Sequence, residues 1–286
     1  CAGIIMWVVY ALGAVMSTTV LALFFRTVAI RSENTRVFSF LFNVTALFMS
    51  IVLMLVTGVG TIHIDTYLLI LLFVSGLSYG IFQRYQFTLR KTVEVSVFQT
   101  IATPASIVGY ILAIAWLGES ISLQKCIGYG CILFGLLIVI NPKKSDFVFN
   151  KSVVAIFLIT SALSIAVTID RRVSPQFSSA LTYATILWLF QVIAVGLPFI
   201  PLHVIRSELK LHTWRIPLLA ATNALALLLT IAALRLAPVS LVLPILSSNI
   251  IFIALLGIFV LKERARIPQK VLAATIMFVG LFFVSR

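Results

Sequence analysis

Acidic residues are scarce in this chain. Asp and Glu number 8 among 286 residues, and charged residues of all four types make up only 10%, against 62% hydrophobic residues. A soluble domain carries about 25% charged and 45–50% apolar residues. So large an apolar excess cannot be enclosed in one water-soluble core, so lipid must be the solvent for most of the surface. Cysteine is nearly absent as well. Cys1, Cys126 and Cys131 are too few for a disulfide framework or a thiolate metal site, and Cys126 and Cys131 read as small apolar packing residues. The chain opens on Cys1 rather than Met, so the natural start is expected to lie upstream. The three histidines, His63, His203 and His212, fall in loops between apolar stretches. That leaves no candidate for a haem ligand or a Ser–His pair inside a membrane. No H-E-x-x-H motif and no P-loop occurs, which removes zinc-protease chemistry and direct ATP drive by this chain. The expectation is a protein that is not an enzyme, with no catalytic residues, no cofactor and no metal site.

What is present is a series of continuous apolar stretches: 4–24, 37–57, 67–88, 94–117, 123–141, 152–169, 179–199, 216–235, 239–261 and 267–285. An α-helix needs roughly 20 such residues to cross the hydrocarbon layer. Their apolar character is unbroken rather than alternating, which argues against a β-barrel. The expected fold is an all-α integral membrane protein of ten transmembrane helices. The loops leave no room for a soluble domain, so function must sit within the helices. The net charge of +13 comes from basic residues at helix ends. These suit anionic lipid headgroups and set orientation. The lipid bilayer is therefore an expected partner and nucleic acid is not.

Two hinges resemble each other. "AWLGESISLQKCIGYGCILFGLLIVI" (Ala115–Ile140) and "FVLKERARIPQKVLAATIMFVGLFFV" (Phe259–Val284) each run from an apolar helix end, through a Glu in a polar turn, into a second apolar helix. Glu119 and Glu263 lie 144 residues apart, half of the chain. The same offset carries Ser96 onto Ser240, Ile107 onto Ile251, Tyr79 onto Asn223 and Arg26 onto Asp170. Two halves of five helices follow, 1–145 and 146–286. Because five is odd, the second half enters the membrane from the opposite side. The expected architecture is two inverted five-helix repeats, an arrangement typical of secondary transporters.

The repeated pattern of apolar helix, "LGES" or "LKER", then Gly-bearing helix resembles the EamA-type repeat of the drug/metabolite transporter superfamily. "TIDRRVSP" (Thr168–Pro175) and "LRLAPVSLVLPILSSNIIFIALLG" (Leu234–Gly257) resemble segments of that family's second half. The likeness extends over essentially the whole chain. It implies a ten-helix transporter of small metabolites or drug-like solutes, with a central cavity between the halves. The small four-helix members of the superfamily carry a proton-handling Glu in the first helix. The first stretch here has no acidic residue, so that mechanism does not carry over. The expected function is secondary transport by alternating access, in a bacterial inner (cell) membrane. A membrane-embedded enzyme and a channel or lipid scramblase are the alternatives. Efflux and uptake, proton coupling and exchange, and monomer and homodimer are each left open.

Polar residues deep in the apolar stretches are the candidate solute contacts: Tyr79, Thr103, Gln191, Asn223 and Asn249, with Ser164 also at depth. A buried hydroxyl or amide in hydrocarbon needs a partner, either another helix or a solute in a wet cavity. None carries a fixed charge, which suits a neutral or zwitterionic solute. Pro104 and Pro244 interrupt the fourth and ninth helices. They are the candidate hinges, since proline removes a backbone donor and bends a helix. Asp170, followed by Arg171 and Arg172, is either a coupling group or an interfacial ion pair. Glu119, Glu263 and Glu94 read as anions at the starts of the helices that follow them. Gly76–Gly80 reads as a small-residue step for close helix packing, and Arg84 as a side chain reaching back to the interface.

Sixteen Lys and Arg fall on loops 1–2, 3–4, 5–6, 7–8 and 9–10 and adjacent helix ends, and five on the other face. The positive-inside rule puts the sixteen in the cytoplasm, whereas the family resemblance implies cytoplasmic termini. Either orientation separates Lys144 from Arg286. Cysteine labelling at these two positions is expected to give opposite accessibility, and same-side labelling would contradict the ten-helix fold.

Overall fold

The computed structural model describes residues 2–62, 65–120, 122–140, 151–250, 252–253, 256 and 267–284. The helices are α1 (Ala2–Arg31), α2 (Thr35–Thr57), α3 (Thr66–Thr92), α4 (Val95–Ala102), α5 (Ser106–Leu117), α6 (Leu123–Ile140), α7 (Lys151–Val173), α8 (Ala180–Gly196), α9 (Leu202–His212), α10 (Arg215–Leu236), α11 (Val239–Ser247) and α12 (Ile267–Val284). Among the described residues there is no β-strand, only an isolated bridge between Ile62 and Phe177. The protein is an all-α membrane protein. Six of the described helical segments are long and apolar enough to cross a membrane, and Ala180–Gly196 and Ile267–Gly280 are shorter apolar helices. Large apolar side chains such as Phe48, Leu55 and Val56 face outward, as a lipid solvent permits.

Helix starts follow ordinary capping chemistry. The Asn34 side chain accepts from the Val37 N–H at 3.2 Å, Asp65 from Leu68 at 2.8 Å, and Ser179 from Leu181 at 3.2 Å. α5 stops at Gly118, whose φ of 70° is the left-handed position that favours glycine. Inside the bundle, α3 lies directly on α8. A Cβ at Gly76 would sit 2.4 Å from the Phe190 Cβ, and one at Gly80 would sit 2.4 Å from the Ala194 Cβ. The small-residue step therefore does set this contact.

Helices α1, α3 and α7 outrun the apolar stretches expected there by one or more turns. Arginines and lysines from other helices take carbonyls at or just beyond helix ends. Arg26 donates to the carbonyls of Arg90 and Val93 at the end of α3. Lys91 donates to Ser32 after α1, at 2.9 Å. Arg36 and Arg84 converge on the end of α8, at Val195, Gly196 and Pro198 and at Ala194 and Leu197 respectively. Arg171 donates to Leu234 near the end of α10, and Arg235 returns to Ser174 and Phe177 after α7. The last carbonyls of a helix have no partner within it and carry partial negative charge, so a guanidinium there satisfies both needs.

The fourth apolar stretch is broken into α4, a 3₁₀ turn at Thr103–Ala105 containing Pro104, and α5. In the ninth, α11 contains Pro244 and ends at Ser247, where the Ser248 N–H bonds to both Pro244 and Ile245 carbonyls at 3.0 Å. The tightened turns match the missing proline donors.

Two expectations need correction. The stretch holding His203 and His212 is the helix α9, not a loop; His63 lies outside the described residues. His212 is buried, 3.3 Å from Glu208, and edge-on to Phe38. Burial pushes its imidazole below the ordinary value, while the Glu208 carboxylate pulls the other way. Glu208 also accepts from the Ser32 hydroxyl and the Asn34 N–H, pinning α9 to the α1–α2 turn. Glu94 stands at the N-cap of α4, the helix start expected for it, without a side-chain capping bond. Glu119 does not cap its own following helix. Its two carboxylate oxygens accept from the Val239 and Ser240 N–H groups at 2.9 and 3.0 Å, the start of α11. Glu263 lies outside the described residues.

The Glu119 cap joins two distant segments, so its removal is expected to cost the whole protein. Glu119→Ala should lower stability by about 2 kcal/mol, the upper range for a lost cap. Glu119→Gln should lose less, because its amide oxygen still accepts one bond. Thermal unfolding in detergent reads both, and an unchanged melting temperature in Glu119→Ala would remove the cap's structural role.

Candidate functional site

A cavity of ≈ 240 Å³ lies among α1, α3, α4, α5, α7, α8, α10 and α11. Tyr79, Thr103, Gln191, Asn223 and Asn249 all line it, as does Ser164. Five separate helical segments thus bring the five proposed solute contacts to one space. Asp170, Pro104 and Pro244 are not on its wall. Apolar lining comes from residues such as Phe25, Phe98, Trp188, Leu227 and Leu243.

Many of the polar groups on the wall are already paired. The Gln99 amide donates to Asn249 Oδ1 at 2.8 Å, and the Asn249 amide donates to the Thr18 hydroxyl at 3.4 Å. The Thr103 hydroxyl returns to the Gln99 carbonyl at 2.9 Å. Those of Thr160 and Thr230 return to the carbonyls one turn back. Such bonds let hydroxyls sit in an apolar bundle at little cost.

Asp170 is fully buried, so it is no interfacial ion pair with Arg171 or Arg172. Its carboxylate accepts from Ser75 at 2.7 Å, Tyr79 at 2.7 Å and Tyr183 at 2.5 Å. Three hydroxyl donors replace the solvent that a buried carboxylate has lost. Arg26, its repeat partner in sequence, instead binds the end of α3. Tyr79 therefore faces the cavity while its hydroxyl proton is committed to Asp170, which places the carboxylate one hydrogen bond behind the wall.

Two lining residues stand apart. Gln191 is 1% exposed, and neither its amide oxygen nor its amide nitrogen has a hydrogen-bond partner. Arg90 is 6% exposed, and its Nε and Nη1 have none. Its guanidinium lies 4.2 Å from the Phe98 ring centroid and 5.8 Å from that of Phe25, a cation–π arrangement. The cavity wall thus includes a basic side chain that the five expected contacts did not.

Sequence reasoning missed Arg90, Gln83 and Gln86, all on the cavity wall. A signal was available: Tyr79, Gln83, Gln86 and Arg90 recur at spacings of four, three and four, one face of a helix. Ending the apolar stretch at residue 88 assigned Arg90 to a loop, whereas α3 continues to Thr92. Among the described residues, no group of three or more His, Cys, Asp or Glu side chains could hold a metal ion.

The Tyr79–Asp170 bond has a measurable consequence. A double-mutant cycle of Tyr79→Phe and Asp170→Asn is expected to give a coupling of about 1 kcal/mol in unfolding, within the range for residues in direct contact. Strictly additive effects would show that the two side chains do not interact in the folded protein.

Comparison with known proteins adds fold information only. No family model matches the chain, and no curated protein matches it. A solved structure described only as "Crystal structure of protein" is similar over 97% of this chain and 95% of its own, with a TM-score of 0.63 and 14% sequence identity. At that identity the likeness shows a shared fold and nothing about activity.

Proposed function

We propose that this chain is a secondary transporter that moves a small solute by alternating access, built as two inverted five-helix repeats (1–145 and 146–286) of the EamA type. The ten crossings are α1, α2, α3, α4 with α5, α6, α7, α8, α10, the segment beginning with α11, and α12. Helix boundaries support the repeat. The 144-residue offset carries Thr92 onto Leu236, Val95 onto Val239, Leu123 onto Ile267 and Ile140 onto Val284, each pair marking the same end of equivalent helices. Packing supports it too. The offset relates the α1–α10 contact to α7–α3, and α2–α10 to α8–α3, while α2–α8 and α6–α12 map onto themselves. All six packings are present.

The observation that carries the reading is the cavity itself. It lies between helices of both halves, it collects the polar residues expected as solute contacts, and a broken helix from each half forms part of its wall. A helix interrupted beside a cavity can change its bend at small cost, because the missing backbone bonds need not be broken again. Proton coupling, within this reading, would run through Asp170 behind Tyr79. The setting proposed is a bacterial inner membrane.

Metabolite profiling of cells that express the protein, against cells that do not, identifies a solute. Proteoliposomes preloaded with that solute are then expected to show saturable counterflow. Pro104→Ala and Pro244→Ala should slow exchange several-fold while changing the melting temperature little. Flux that rises linearly with concentration, or scrambling of labelled lipid in the same vesicles, would favour a channel or scramblase and contradict the proposal.

A further inference from the structure

Arg90 and Gln191 are both more than nine-tenths buried, both line the cavity, and both hold polar atoms with no partner in the protein. Buried guanidinium nitrogens without a partner are costly, since desolvation of a charge outweighs that of any neutral group. Other arginines of this protein spend their donors on helix-end carbonyls. The Arg90 guanidinium instead lies on the cavity lining near the Phe98 and Phe25 rings, with its Nε and Nη1 buried and without a partner. Arg26 adds positive potential nearby, through its bonds to the Arg90 and Val93 carbonyls. Donors in this planar array match the two oxygens of a carboxylate or phosphoryl group.

The second pole is displaced along the bundle. The Gln191 backbone packs at the level of Gly80, whose Cβ position lies 3.5 Å from the Gln191 Cα. Gly80 is ten residues from Arg90 on α3, roughly 15 Å at 1.5 Å per residue. An Arg side chain in a helix leans toward the N-terminus, which shortens the gap between the two polar ends. The wall also includes the apolar Trp188, Leu227 and Leu243.

From these observations we infer that the cavity binds an organic anion: one carboxylate or phosphoryl group on Arg90, an apolar body, and an uncharged hydrogen-bonding group at the far end on Gln191. The inference rests on the transporter reading for its biological sense, but binding itself needs only the cavity, so the two are tested separately. Purified protein in phosphatidylcholine nanodiscs, which bring no anionic lipid, is titrated with hexanoate, hexyl phosphate, hexanamide, hexylamine and 6-hydroxyhexanoate, with the melting temperature as readout.

Hexanoate or hexyl phosphate is expected to bind at least about tenfold more tightly than hexanamide or hexylamine. The ratio between the two anions identifies the preferred head group. Arg90→Gln and Arg90→Met should abolish the anion preference, and Arg90→Lys should keep part of it. 6-Hydroxyhexanoate should bind several-fold more tightly than hexanoate, and Gln191→Leu should erase that difference alone. Should the Arg90 variants fail to fold, the charge selectivity of the unaltered protein and the Gln191→Leu comparison still decide the matter. Equal binding of charged and uncharged probes, no binding of either anion, or an anion preference that survives in folded Arg90→Met would overturn the inference. Anion binding without counterflow would sustain it and sink the transporter reading instead.

Discussion

The structure depends on how a strongly basic chain satisfies its charges where water is scarce. With 21 basic and 8 acidic residues, ion pairing cannot neutralise most of the cations. The protein uses its own helix ends. Arg26, Arg36, Arg84, Arg171 and Arg235 each donate to backbone carbonyls at or just beyond the C-terminal end of another helix. Glu119 does the reverse, accepting the free N–H groups that begin α11. Each such bond removes two liabilities at once, an unsolvated charge and an unsatisfied backbone group, and each ties together helices distant in sequence. Helix-end chemistry that is local in most soluble proteins is here a tertiary interaction.

This economy explains where the interior is rigid and where it is receptive. The crossed caps gather the bundle at the helix ends. Between them the polar side chains of the wall are largely satisfied by carbonyls one turn back or by each other, so they hold the cavity open without demanding a ligand. Arg90 and Gln191 break that pattern, holding buried polar atoms that have no partner in the protein. Asp170, by contrast, is fully occupied by three hydroxyls and can respond to the cavity only through Tyr79.

The fold class was legible in the sequence because hydrocarbon imposes a simple rule: unbroken apolar runs of helical length must span. The candidate contacts were legible for a related reason, since a polar residue in mid-helix needs a partner and the bundle interior is where partners are. Helix ends were less legible. Arg90, Arg171 and Arg172 look like loop residues because hydropathy falls there, yet α3 and α7 continue through them, and arginines from elsewhere, which no local window can see, meet carbonyls at or beyond those ends. Glu119 was misassigned for the same reason: its proximity in sequence to α6 pointed to that helix, while the free N–H groups it reaches belong to α11, about 120 residues on. The amphipathic α9 was hidden because its mixed composition resembles a polar connection until the buried Glu208–His212 pair is seen.

The central claim is that the space between the halves is one solute site reached in turn from each side of the membrane. Single cysteines at Gln191 and Asn223, in protein lacking its native cysteines, test it in oriented vesicles with a membrane-impermeant maleimide. The account predicts that each position is labelled from either face, that a transported solute slows labelling from both, and that small ions do not leak through the same protein. Labelling from neither face, or a permanent ion-conducting path, would contradict it.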